Sequence, residues 1–195
     1  MLSSIHPLGE RGKGNRFGVT AGAFLLGAVL GGASTGAVLA VVTIPVHAIT
    51  SPAVATALIA VVAVTAAVFE RTGRSLPSVP RQVDENWLNE YRGWVYGAGF
   101  GFQLGAGVLT FITTAALYVA LAASVLSGSP LASLGIMSVF GLARGLTRVP
   151  ARSIRSPQRL IEFHQRLQRW SPAVRSTSTS VLAASALFAG AALFA

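Results

Sequence analysis

Between Gly93 and Tyr118 the chain reads GWVYGAGFGFQLGAGVLTFITTAALY, with Gly93, Gly97, Gly101 and Gly105 at every fourth position. On a helix these four share one face and form a stripe free of side chains. In water such a helix is penalised by about 0.8–1.0 kcal/mol per glycine against alanine. In a bilayer the stripe lets a neighbouring backbone come close, and close packing is what joins helices where no hydrophobic drive exists between them. The stretch therefore predicts a membrane helix pressed against a neighbour, with those four glycines as its packing residues. Past Gly107, Thr110, Thr113, Thr114 and Tyr118 recur at helical spacing and predict a hydroxyl-lined flank on the same helix.

The rest of the composition agrees with a membrane setting. Only 11% of the residues are charged and 52% are hydrophobic, whereas a soluble domain carries about 25% charged residues to cover its surface. The net charge of +9 is confined to three clusters: Glu10 to Arg16, Glu70 to Arg92, and Arg144 to Arg175. The six acids fall in the same clusters, and the sequence between them is uncharged. A nucleic-acid binder would instead spread basic residues and aromatics over a soluble face, so that class is excluded. With no cysteine, disulfides, thiol relays and zinc–thiolate sites are excluded as well.

The chain divides into one membrane domain, all-α, with about five transmembrane helices. Residues 1–16 form a polar cytoplasmic lead, read as irregular, in which HPLGER (6–11) is either a turn before the first helix or a functional handle. The apolar run that follows is longer than the ~7–15 residues of a signal-peptide core, so it is read as a retained anchor. Spans are expected at 17–44, 52–69, 94–126, 130–147 and 176–195. Thr43-Ile-Pro45 and Ser51-Pro52 are expected to bracket the first turn, and Pro77 and Pro80 to break the cytoplasmic loop 70–93. Asp84 is a candidate cap for a helix running into the central stretch, with Trp87, Tyr91 and Trp94 on one aromatic face at headgroup level. Residues 151–175 are read as a second cytoplasmic loop, opened by a Ser156-Pro157 cap. It presents Leu160, Phe163, Leu167 and Trp170 on one face and Arg159, Glu162, Arg166 and Arg169 on the other. That pattern fits a helix lying in the interface or one packed on the protein's own cytoplasmic face.

Five spans place residues 1–16, 70–93 and 145–175 on one side, and all fifteen basic residues lie there or, for Arg144, close to it. The opposite turns, around 45–51 and 127–130, carry His47 but no Lys, Arg, Asp or Glu. The positive-inside rule then predicts a multi-pass inner (plasma) membrane protein with its N-terminus cytoplasmic and its C-terminus outside. An internal repeat at an offset of about 76 residues sets RFGVTAGAF (16–24) over RGWVYGAGF (92–100), each opening a two-span unit of the same orientation.

Chemistry-bearing residues are few. His6, His47 and His164 lie on separate segments with no ligand spacing, so no metal or other cofactor is expected. No carboxylate falls inside an expected span, and no nucleophile has a paired base; an enzyme is not expected. Gln103 and Arg144 are the polar residues of weight. By helical rise they lie about 13 Å and about 9 Å into the membrane from the cytoplasmic side, on sequential antiparallel spans. Arg144 either snorkels to the interface or forms a buried cationic site facing Gln103, with Thr110 and Thr114 along the same path. The threonines alternatively bond their own helix or glue it to a neighbour.

The two Gly-rich helices, 17–44 and 93–126, each followed by a proline-containing turn, resemble the lysine-exporter superfamily. That group includes the transmembrane domain of cytochrome c biogenesis thiol transporters. The resemblance implies small-solute transport; thiol transfer is not implied, because the cysteines that carry it are absent here. The expected function is translocation of a small polar or anionic solute. The alternative is a non-catalytic assembly subunit that packs its glycine stripes against other membrane subunits or a second copy.

Overall fold

The structure is a computed structural model that describes residues 5–72, 76, 86–109, 112 and 114–192, with the Asn89 side chain left out. Every regular element among the described residues is helical. They are α1 (Pro7–Gly12), α2 (Phe17–Ile49), α3 (Pro52–Thr72), α4 (Trp87–Glu90), α5 (Gly93–Ala106), α6 (Ala116–Leu126), α7 (Pro130–Leu146), a 3₁₀ turn (Val149–Ser153) and α8 (Pro157–Ala191). Among the described residues, three stretches are long and apolar enough to cross a membrane: Phe17–Ile49, Pro52–Thr72 and Pro130–Ser153. The chain is a membrane protein.

α2 is the centre of the bundle, with α5 against one flank and α7 against another. Glycine makes both contacts. A Cβ built on Gly101 would overlap the carbonyl of Phe24, and one on Gly97 would lie 2.6 Å from the carbonyl oxygen of Thr20. From the α2 side, Gly27 and Gly31 meet the carbonyls of Ala98 and Phe102 in the same way. The pairs Thr20–Gly97 and Phe24–Gly101 advance together, so α2 and α5 run parallel. Across the other flank, Gly32 and Gly141 bring α2 and α7 together antiparallel. The carbonyl oxygen of Ala28 is the shared node, since a side chain at Gly105 or at Gly141 would collide with that one atom. On the far side of the molecule, α3 packs on α6 and on the second half of α8, with Ala66, Ala115 and Leu182 buried between them.

Several expected boundaries are corrected. The first helix does not stop at residue 44: α2 runs through Pro45 to Ile49, and the turn shrinks to Thr50 and Ser51. Pro45 removes one backbone donor, a loss membrane helices accommodate through neighbouring groups. The expected helix 94–126 is two helices, because Gly107 takes φ +77° and ends α5. The helix expected to run into the central stretch breaks at Tyr91, whose ψ of 157° is extended; Asp84, Pro77 and Pro80 lie outside the described residues. Trp87, Tyr91 and Trp94 therefore share no helical face. Trp87 stacks inward on Phe100 at 6.1 Å, Tyr91 meets its edge at 5.6 Å, and Trp94 stays exposed.

Residues 151–175 and 176–195 do not separate into an in-plane helix and a span. α8 is one 35-residue helix, capped as expected by Ser156, with Pro172 inside it. Its second half packs along α3, while most of its first half is exposed. The lead is not irregular either. Pro7 opens α1, and His6 caps it by accepting from the Gly9 amide at 3.1 Å.

Candidate functional site

The interruption between α5 and α6 is the least ordinary backbone of the bundle. It lies opposite Thr35 to Leu39, close to the middle of α2's 33 residues. A helix that stops leaves carbonyls without donors at one end and amides without acceptors at the other. Here the Thr35 hydroxyl donates to the Ala106 carbonyl at 3.1 Å. On the α6 side, the Ala115 amide donates to Glu70 Oε2 at 2.9 Å, and the Ala116 amide donates to the Thr114 hydroxyl at 3.3 Å. Ile112, Ala115 and Leu117 are buried. Non-helical backbone at membrane depth is tolerated where protein covers it or a cavity adjoins it. A cavity of about 280 Å³ does adjoin it, lined by Val61, Thr65, Phe69, Ala115 and Tyr118 among others. Its walls are almost wholly apolar.

Glu70 was read as the first residue of a loop, and no carboxylate was expected inside a span. It is instead in the last turn of α3, half-buried, with its side chain on the start of α6. Nothing in the local sequence marks it, since the partner amide is 45 residues away.

The four residues expected to line a path are distributed as follows. Arg144 and Gln103 are both half-buried and lie near the Ala28 turn of α2, as Gly141 and Gly145 contact that turn on one side and Gly101 and Gly105 on the other. The Arg144 guanidinium lies over the ring of Phe140, one turn back on its own helix, at 5.7 Å. Among the described residues no hydrogen bond joins Arg144 to Gln103. Thr114 caps the start of α6 within the interruption, so it bonds its own chain. Thr110 lies outside the described residues.

A second polar centre closes the α1 end of the bundle. Glu10 is fully buried. Its two oxygens accept one hydrogen bond each, from the Thr20 hydroxyl at 2.8 Å and from the Tyr96 hydroxyl. Asn15 donates to the Tyr96 oxygen at 3.2 Å and accepts from the Gly93 amide at 3.4 Å. One carboxylate therefore ties α1 to α2 and α5. Leaving such a group unpartnered in the interior costs several kcal/mol, so the network holds the lead in place. Around it pack Ile5, Phe24, Tyr96 and Phe100. Arg148, not Arg144, is the most buried cation of this end: it is 8% exposed, and its guanidinium sits 4.7 Å from the Phe24 ring centroid. Sequence reading passed over Arg148 because it follows the apolar stretch and looks like an ordinary flanking arginine. It held Glu10 within a turn or handle without assigning its partners, which are 10 and 86 residues away.

Comparison with known proteins adds one partial likeness. The methylamine utilization protein MauF of Paracoccus versutus is 34% identical over 70 residues, which is 36% of this chain. The aligned part is 26% of MauF, so the chain spans about a quarter of that relative's length. No family model matches the chain, and no solved structure does.

Proposed function

We propose that the protein is a five-span inner-membrane protein that translocates a small polar or anionic solute. The observation that carries this is the interruption of the third crossing near the middle of the bundle. Broken helices with satisfied ends are how transporters build a midplane site from main-chain groups. In this proposal α5 and α6 together make one crossing, and the second half of α8 makes the fifth. The basic clusters then all face the cytoplasm under the positive-inside rule. The parallel course of α2 and α5 is what a duplicated two-span unit predicts, and the lysine-exporter resemblance points to the same class of function. The MauF likeness is compatible with a membrane-associated role and names no solute. Arg144 and Gln103, at one level beside the α2 node, are the proposed solute-facing side chains, with Thr110 and Thr114 along the interruption.

The test is uptake by proteoliposomes of a panel of isotopically labelled small anions, zwitterions and amines. A saturable response is expected for at least one solute. It should be lost in both Arg144→Gln and Arg144→Lys at matched insertion, because lysine lacks the planar fork of donors. Gln103→Leu should behave alike, and the double variant should be no worse than either single change. Silence across the panel, or wild-type response of Arg144→Gln, would remove the proposal.

A further inference from the structure

At the α1 end of the bundle, outside the buried Glu10 network, an open cleft of about 870 Å³ is lined by Arg11, Arg16, Arg152, Arg155 and Arg159, with Asn15 at its side. We propose that this cleft binds the phosphate group of an anionic ligand, borne by a phospholipid headgroup or by free phosphate. The inference does not depend on solute translocation.

Three observations carry it. First, the five guanidinium groups come from four separate places: the end of α1, the start of α2, the 3₁₀ turn and its exit, and the first turn of α8. No acid is among the lining residues, and among the described residues no carboxylate pairs with any of the five. Like charges gathered without a counter-charge repel one another, and a bound anion is what removes that penalty. Guanidinium forks match phosphate oxygens two at a time, which is why arginine predominates where that geometry is read.

Second, the cleft is held in shape. The Leu8 amide donates to the Ile154 carbonyl at 3.2 Å, joining α1 to the exit of the 3₁₀ turn. Ile5, Ala151 and Ile154 are buried beneath it. Ser156 caps α8 immediately after, and Arg159 reaches back to the Ser153 carbonyl at 3.5 Å. The arginines are therefore presented by fixed backbone while their heads remain exposed. Third, the cleft opens beside Phe17, and from there α2 shows an unobstructed apolar track. A Cβ built on Gly18 or Gly22 would meet nothing within 4 Å, and Val19 is 54% exposed. A headgroup in the cleft would have its acyl chains along that track, whereas free phosphate would use the cleft alone.

The experiment uses the full chain in a neutral detergent. Phosphatidylglycerol retention is read by native mass spectrometry, and stabilisation by inorganic phosphate is read by melting temperature. Arg152→Gln/Arg155→Gln removes two of the cleft's five charges. Arg166→Gln/Arg169→Gln removes the same charge from the exposed part of α8. All four side chains are exposed, so both pairs should melt like the wild type without ligand. Losing two charge-assisted contacts is expected to weaken binding at least about tenfold in the cleft pair, with the α8 pair near wild type. Arg152→Lys/Arg155→Lys should lie between, keeping charge but not the fork. Cleft-dependent retention of phosphatidylglycerol with little response to phosphate identifies a lipid. Cleft-dependent stabilisation by phosphate without lipid retention identifies free phosphate. Equal loss in the cleft and α8 pairs, or no loss in either, overturns the proposal, since the protein's overall positive field would then account for any binding.

Discussion

A single methyl group at Gly101 should separate α2 from α5. Built on the present backbone, a Cβ at Gly101 would lie 2.8 Å from the Phe24 carbonyl carbon, 3.0 Å from the Ala28 amide nitrogen, and closer still to the Phe24 oxygen. Ordinary contact begins at 3.4 Å, so clearing the Phe24 carbonyl carbon alone parts the helices by 0.6 Å, and clearing the nearer oxygen takes more. A gap of about 0.5–1 Å forfeits a quarter to a half of the dispersion energy of the atoms that lose contact. Overpacking in a core typically costs about 1–3 kcal/mol. Every obstructing atom here is backbone and cannot swing aside, so Gly101→Ala is expected near the upper end, about 3 kcal/mol. At the ~2–4 °C per kcal/mol of a soluble chain this size, the fall in melting temperature is roughly 6–12 °C. Gly101→Leu should fail to accumulate. Gly22 is the internal control, because a Cβ there meets nothing within 4 Å; Gly22→Ala should be neutral or stabilising by up to about 1 kcal/mol. Fluorescence-monitored melting of the purified proteins in one detergent separates the two. Unchanged yield and melting temperature for Gly101→Ala would show that the glycine stripe does not join these helices.

Tyr96→Phe removes one of the two hydroxyls that donate to buried Glu10 and should cost about 1.5–3 kcal/mol by melting; combined with Thr20→Val the loss should depart from additivity, because both partners serve one carboxylate. His6 titrates below its ordinary value because burial disfavours the imidazolium, the Glu10 charge opposing that only in part. Its contribution to stability is therefore full above about pH 6.5 and is lost as pH falls through the lower folded value; His6→Asn keeps the cap and should flatten that part of the pH–stability curve. Cysteines introduced at His47 and Ser129 should react with an impermeant maleimide in intact cells and one at Arg155 should not; labelling at Arg155 with sealed membranes would contradict the cytoplasmic placement of the basic clusters.

Contact-making glycines were legible in the sequence because their spacing is local: a four-residue period marks a face whatever that face meets. The start of α3, the ends of α7 and the Ser156 cap of α8 were legible for the same reason, each being signalled by proline, serine or charge within a few residues. What escaped was set by distant partners. Glu10 is buried because Tyr96 and Thr20 supply donors, and Glu70 turns inward because Ala115 presents an amide; neither is visible in a window around the carboxylate. Pro45 illustrates the opposite error. Proline predicts a helix end in water, yet this one sits inside α2, where neighbours can satisfy the freed carbonyl.

The position of the break between α5 and α6 follows from the stripe itself. Continued at its own period, the row Gly93, Gly97, Gly101, Gly105 next reaches Leu109 and then Thr113. An unbroken helix would press Leu109 against α2 at a distance set by glycine, where even a Cβ at Gly105 collides with the Ala28 carbonyl. The chain can end the close approach only by leaving the helix, and Gly107 supplies the positive φ that permits it. Val108, Ile112 and Thr114 then follow, β-branched residues whose side chains slightly disfavour helix. Leu109 accordingly stands 41% exposed instead of facing α2. The helix resumes at Ala116, past the crowded zone, with Leu117 packed on Met137 and Leu39. Once the chain is broken there, Thr35 and Glu70 are the groups that keep its ends from being orphaned. Thr35 is thus required by the same close packing that Leu109 would violate, and Glu70 explains why α3 continues past its apolar run to Thr72. The glycine stripe, the interruption and the half-buried carboxylate are one structural consequence of a helix pair packed closer than side chains allow.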